Sequence, residues 1–166
     1  MRLTDLTFED CQNVREWRNQ DIAAYRTPFF LTDSMQEDFY HNVVSDRTGP
    51  HRYMAVDYHN SLVGMVGLVN IQWGNRNAEI SIVIDPKKRR TGAGRKCLEL
   101  LLDWGFNVMG LENIYGECYS CSPFKLFWFD IIKEYGLYNT ILPGRKFYHG
   151  LYHDSIYFNF NKGDIK

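Results

Sequence analysis

The chain is expected to fold as an α+β protein built on a mixed, mostly antiparallel sheet, and three observations predict this. Apolar, β-rich segments run from 52 to 85 with only short turns between them, which reads as an antiparallel meander. At Gly94 the apolar period changes to helical, so a helix separates strands 78–85 and 113–119 and lets them lie parallel. Two closing segments, 137–148 and 151–160, meet at His149-Gly150 as a hairpin.

The elements follow in order. After a short strand in "MRLTDL", Thr7 with Asp10 has capping-box spacing, and Cys11, Val14 and Trp17 recur at helical spacing up to "RNQD". Ser34 with Glu37 repeats the signal ahead of Phe39, Val43 and Val44. "RYMAVDY" and "LVGMVGLVNIQW" are strands separated by His59-Asn60-Ser61, and "AEISIVID" follows the turn-rich Gly74-Asn75-Arg76-Asn77. Leu98, Leu101, Leu102, Gly105, Val108 and Met109 share one helical face, and Gly110 is placed to stop that helix. "NIYGECY" is a strand. The helix after it takes Ser122 as N-cap, Pro123 at its first position and Gly136 just past its end.

A chain of 166 residues with 45% hydrophobic content can bury one substantial core, and no repeat or low-complexity linker divides it, so one domain over 1–166 is expected. The 19 Lys+Arg nearly cancel the 20 Asp+Glu, which argues against a nucleic-acid partner. No apolar run reaches the roughly 20 residues of a bilayer span, and the first residues lack a secretory apolar region, so the expected location is cytoplasmic, without a membrane. Four cysteines are too few for a disulfide scaffold, and reduced thiols are expected.

"KKRRTGAGRK", residues 87–96, sets six positive charges around Gly92-Ala93-Gly94 where a strand passes into a helix. Free backbone N–H groups at a helix start bind phosphate, and glycines let the backbone approach an anion. A solvated connection would use the same residue types. A P-loop is absent, because Gly-Lys-Ser/Thr is missing, and so is a dinucleotide fingerprint, which needs a third glycine in a parallel unit.

Arg89-x-x-Gly92-x-Gly94, after Ile84-Asp85-Pro86 and before a Leu-rich helix, resembles the acetyl-CoA signature of the GNAT superfamily of N-acetyltransferases, (Q/R)-x-x-G-x-(G/A) after V-x-P. The order of elements over nearly the whole chain is similar to that fold as well. The resemblance implies a GNAT-like sheet whose one parallel strand pair splays apart, with helices on both faces. It further implies acetyl-CoA as co-substrate, no metal, and the CoA pyrophosphate on the amides of Arg90, Thr91, Gly92, Ala93, Gly94 and Arg95, with Arg89 at the rim. Ile82, Val83 and Ile84 would pair with the pantetheine arm. The thioester would lie where strands 78–85 and 113–119 diverge.

Transfer of an acetyl group to an amine needs a neutral nitrogen, a donor for the carbonyl oxygen and a route for the released proton. Glu79 and Glu117, on the two parallel strands, are the candidate bases, and "YGECYS" around Glu117 reads as buried. The family's Asn and Tyr on the following helix fall on Ser122 and Phe129, so Ser122 is grouped with the cofactor site and the candidates for the acid become Tyr119, Tyr135 and Tyr138, with Tyr138 preferred, unless the thiolate leaves near its own pKa with no dedicated acid. Trp17, Arg18 and Asn19 are the acceptor candidates, although Trp17 equally suits a core position and Arg18 solvent. Cys118-x-x-Cys121 has the local layout of a thiol oxidoreductase, but it lies late in the chain and lacks partners for a metal.

The resemblance is to the subgroup of amino-sugar, polyamine and ribosomal-protein N-terminal acetyltransferases. It implies a small-molecule amine acceptor, with "WRN" leaning to amino sugars, and leaves room for a homodimer. The alternatives are a non-catalytic acyl-CoA sensor and an acetyltransferase of protein N-termini.

Overall fold

In a computed structural model that describes residues 1–164, seven strands form one sheet in the order β1-β2-β3-β4-β5-β7-β6. The strands are β1 (Arg2–Thr4), β2 (Arg52–Tyr58), β3 (Ser61–Gln72), β4 (Asn77–Ile84), β5 (Asn113–Tyr119), β6 (Tyr138–Tyr148) and β7 (Leu151–Asn161). The helices are α1 (Phe8–Gln20), α2 (Asp33–Phe39), α3 (Ala93–Asp103) and α4 (Lys125–Tyr135). All pairings are antiparallel except β4 with β5.

Strand alternation divides the apolar residues between two faces. Val66 and Leu68 of β3, Ala78 of β4, Ile114 of β5 and Phe158 and Phe160 of β7 pack against Leu98, Leu101 and Leu102 of α3 and Ile131 of α4. Met65 and Val83 point the other way, onto Cys11 and Val14 of α1. Each fully buried leucine of α3 removes enough apolar surface from water to stabilise the fold by about 2 kcal/mol. The position of α3, and hence of the turn that opens it, is therefore firmly set.

The ends of the helices follow local chemistry. Thr7 Oγ1 accepts the Asp10 N–H at 3.1 Å while Asp10 accepts the Thr7 N–H at 3.0 Å, the reciprocal cap that the sequence predicts. For α2 the cap is Thr32, whose hydroxyl accepts from the Met35 N–H at 3.3 Å; Ser34 lies one residue inside the helix. Two hydroxyl residues compete for this cap, and Thr32 has the extended backbone a cap requires. At α4 the expected start at Pro123 moves to Lys125, because Ser122 Oγ accepts the N–H of Phe124 in a separate turn. Gly136 ends α4 at φ 61°, as expected.

The parallel pairing is short. Asn77, Ala78 and Glu79 pair with Asn113, Ile114 and Tyr115, after which β4 continues only against β3 and β5 only against β7. From Ile80 and Gly116 onward the two strands form a wedge that leaves one side of the β4 backbone without a sheet partner.

Candidate active site

One end of the wedge is a cradle of amides. Beyond Ile84 the chain turns through Pro86–Lys88, with Asp85 Oδ1 accepting the Lys87 N–H at 2.9 Å and the Thr91 hydroxyl donating to the Lys88 carbonyl at 2.7 Å. Arg90 and Gly92 take positive φ, 62° and 87°, and Gly92 becomes the N-cap of α3. The Lys96 N–H bonds back to the Gly92 carbonyl at 3.1 Å. The amides of residues 92–95 thus precede the helix's own bonding pattern and sit at its positive end. A Cβ on Gly92 would meet nothing within 4 Å, so the helix start is open at Gly92.

The basic side chains divide into two sets. Arg89 turns inward: Nη1 donates to Asp21 at 2.7 Å, Nε donates to the Ile84 carbonyl at 3.4 Å, and its guanidinium carbon lies 4.8 Å from the centre of the Phe124 ring. Arg95 pairs with Glu134 and Lys96 with Glu99. Among the described residues Lys87, Lys88 and Arg90 form no ion pair, and these supply the rim charge. Arg89 instead ties the turn to the loop after α1.

The other end of the wedge holds both predicted carboxylates. Glu79 and Glu117 lie on the sheet face that carries α1, with side chains 9% and 6% exposed. Arg26, in the loop between α1 and α2, bridges them: its Nη1 and Nη2 both donate to Glu79, and Nη2 also donates to Glu117 at 3.0 Å. Asn70 donates to Glu79 at 3.0 Å, and Ser155 and Arg145 donate to Glu117 at 2.6 and 3.2 Å. Burial pushes the Glu117 carboxyl up, but the bonds from Ser155, Arg26 and Arg145 outweigh it and leave its pKa below the ordinary value. Glu117 is therefore ionised at neutral pH. The bonds that Arg26 donates to Glu79 hold its guanidinium firmly protonated.

A cleft of about 420 Å³ opens beside Glu117, lined also by Arg26, Tyr119, Arg145, Lys146 and Phe147. Burial raises the Tyr119 pKa, so its hydroxyl keeps its proton. Tyr138 shares this face but pairs with Asn159, two residues along β7 from Tyr157, the partner of Glu117; it is 74% exposed and outside the cleft lining. Tyr135 packs edge-on against Phe160 on the opposite face. Ser122 is buried, with its hydroxyl engaged by the Phe124 N–H.

Trp17, Arg18 and Asn19 lie outside the cleft lining. Trp17 packs into the α1-side core. Arg18 stacks 4.9 Å from the Tyr25 ring centre and donates to Thr27, and Asn19 clamps Leu31 through two bonds of 2.9 and 2.8 Å. Arg18 and Asn19 thus shape the loop that presents Arg26. Burial pushes the Cys118 thiol up to about 11, opposite to the depressed thiol of a redox pair. Among the described residues no cluster of His, Cys, Asp or Glu is arranged for a metal, and no helix is long and apolar enough to cross a membrane.

Arg26, Arg145, Lys146 and Ser155 escape a reading by motif. The signal available for two of them is Pro143-Gly144 within a strand, a mark of a bulge that re-aims its neighbours. Arg26 carries only its place in an aromatic-rich loop, "AYRTPFF".

A mixed sheet with a wedge between its parallel strands, and an amide cradle where one of them enters a helix, defines an acyl-CoA-dependent transferase scaffold. The chain belongs to the acetyltransferase (GNAT) family, whose model matches residues 12–123 and whose co-substrate is acetyl-CoA. Similar proteins include spermidine N(1)-acetyltransferases of Vibrio cholerae, 29% identical over 67% of this chain, and of Escherichia coli K12, 31% identical over 69%. The match spans 62% of the length of each. The spermidine N-acetyltransferase of V. cholerae solved with CoA and spermine has the same fold, with a TM-score of 0.85 at 22% identity over 98% of this chain and 95% of that one.

Proposed function

We propose that the protein, as one catalytic domain, transfers acetyl from acetyl-CoA to a primary amine of a small molecule by direct attack in a ternary complex. The observation that carries this is the continuity of β4, which runs from Glu79 through Ile84 into the turn that opens the amide cradle at 92–95, with Glu117 on the strand that diverges from it. The cradle amides take the pyrophosphate, the unpaired edge of β4 at Ile82, Val83 and Ile84 takes the pantetheine arm, and a β4 N–H polarises the thioester carbonyl. The neutral amine forms the C–N bond while the C–S bond breaks. Its proton passes to Glu117, directly or through water, as the nitrogen becomes acidic on attack. Tyr119, protonated and on the cleft wall, is placed to protonate the leaving thiolate in preference to Tyr138. The relatives' names make a polyamine one acceptor to assay beside amino sugars.

A second reading, a non-catalytic acyl-CoA sensor, is favoured by Arg26, which occupies both carboxylates, and by Phe129 where the family's tyrosine is expected. Release of CoA, followed with a thiol reagent over a panel of amines, separates the two.

Two results are expected of the enzyme. Because Glu117 is ionised well below neutrality, log kcat/KM should rise through pH 7 with amine deprotonation, and Glu117→Gln should lose more turnover at neutral pH than at high pH. An equal loss across the profile would make Glu117 structural. Asn19→Ala, which frees Leu31, should cost about 2 kcal/mol of stability and raise the acceptor KM without changing CoA affinity. Calorimetric titration with CoA beside acceptor kinetics measures both.

A further inference from the structure

The cleft beside Glu117 carries more positive charge than its carboxylates use. Arg26, Arg145 and Lys146 face it, against Glu117 on the wall and Glu79 behind Arg26. Both carboxylates already accept from guanidinium groups, Glu79 from Arg26 and Glu117 from Arg26 and Arg145.

Lys146 is the cation left over. Its residue is 7% exposed, and its ammonium donates only to the backbone carbonyls of Tyr25 and Ile22, the latter at 3.3 Å, with the Tyr119 ring centre 5.1 Å away. No carboxylate pairs with it among the described residues. A buried charge is costly unless something compensates it, and an unpaired lysine on the wall of an open cleft is a place for an anion.

The backbone is shaped to bring it there. In a regular strand Arg145 and Lys146 would point to opposite faces. The β6–β7 register instead runs from Leu142↔Ser155 directly to Lys146↔His153, so two extra residues bulge from β6, with Gly144 at φ 62° and its N–H held by Asp154 at 2.8 Å. Lys146, paired with His153, keeps the face of Ser155, and the bulge lets the neighbouring Arg145 turn to the same cleft, as bulges beside sites do.

We infer that the acceptor is an amine that also bears an anionic group, a carboxylate or a phosphate ester, seated by Lys146 with Arg145 while the amine lies toward Glu117. This rests on the acetyl-transfer reading above. A free polyamine would bring further ammonium groups against three cations in a cleft whose carboxylates are already paired, and like charges at an interface disfavour binding.

The test uses matched probes that differ only in the anionic group: lysine against cadaverine for a carboxylate, and glucosamine 6-phosphate against glucosamine for a phosphate, with spermidine as the polycation. Calorimetric titration into the protein saturated with CoA, which fills the cradle, should give the anionic member of at least one pair an affinity higher by on the order of tenfold. Lys146→Met should remove most of that preference. If the variant does not fold, the wild-type comparison decides alone. Members without the anionic group, or spermidine, binding as tightly as both anionic probes, no binding of either anionic probe, or a preference unchanged in folded Lys146→Met would each overturn the inference. Turnover with acetyl-CoA separates the two readings. Release of CoA by spermidine without anionic preference leaves acetyl transfer standing and removes the anion seat. Preferential binding with no release does the reverse.

Discussion

Gly92→Glu is expected to fold and to lose acetyl-CoA binding. The residue caps α3 at φ 87°, where a side chain brings backbone strain of about 1–2 kcal/mol, a cost the buried face of α3 can absorb. The new Cβ meets nothing within 4 Å, so the fold is not obstructed; the carboxylate instead occupies the space before the amides and opposes an incoming pyrophosphate. Gly92→Ala carries the strain without the charge and separates the two effects. By thermal shift, the alanine variant should keep part of the stabilisation by acetyl-CoA and the glutamate variant none. Undiminished stabilisation of Gly92→Glu would remove the turn from the site.

Arg26→Met should have the second large effect, through the charges it leaves behind. Glu79 and Glu117 face a shared guanidinium from neighbouring strands with side chains less than a tenth exposed, and breaking a buried pair by removing one partner costs about 3–5 kcal/mol. The low end applies, because the Arg26 side chain is itself 56% exposed. Without Arg26 the Glu117 carboxyl keeps its burial and loses one of its principal donors, so its pKa rises toward the usual range, while the rise of the pH–rate profile through pH 7, set by the amine, stays in place. Adding Glu79→Gln to Arg26→Met should recover part of the stability, since it removes the uncompensated charge. Additive losses in the double variant would show that the bridge contributes little.

The strands, the parallel crossover, the amide turn and the burial around Glu117 were legible in the sequence because each has a local signature: alternation, a change of period, paired glycines, an acidic residue within an apolar strand. The start of α4 was not, because Ser122-Pro123 satisfies the rule for a helix cap while serving a separate turn. Trp17, Arg18 and Asn19 read as acceptor candidates, whereas Trp17 packs into the α1-side core and Arg18 and Asn19 bond to the 21–32 loop, long-range contacts that a tripeptide does not encode. Arg89 reads as a ligand for a phosphate and is placed as a tie to Asp21. The cations of the cleft were invisible for a related reason. Arg26, Arg145 and Lys146 come from a loop and a bulge that only the closed sheet brings to Glu117.

The central claim, that the cradle and the carboxylate pocket serve a single acetyl transfer, is tested most directly by incubating the protein with acetyl-CoA and a mixed panel of polyamine, amino-sugar and anionic amines, and following free thiol with mass analysis of the amines. CoA release matched one to one by an acetylated amine is expected, with no acetyl group on the protein and no release from Gly92→Glu. Stabilisation by acetyl-CoA without release for any amine would contradict it and leave the fold as an acyl-CoA sensor.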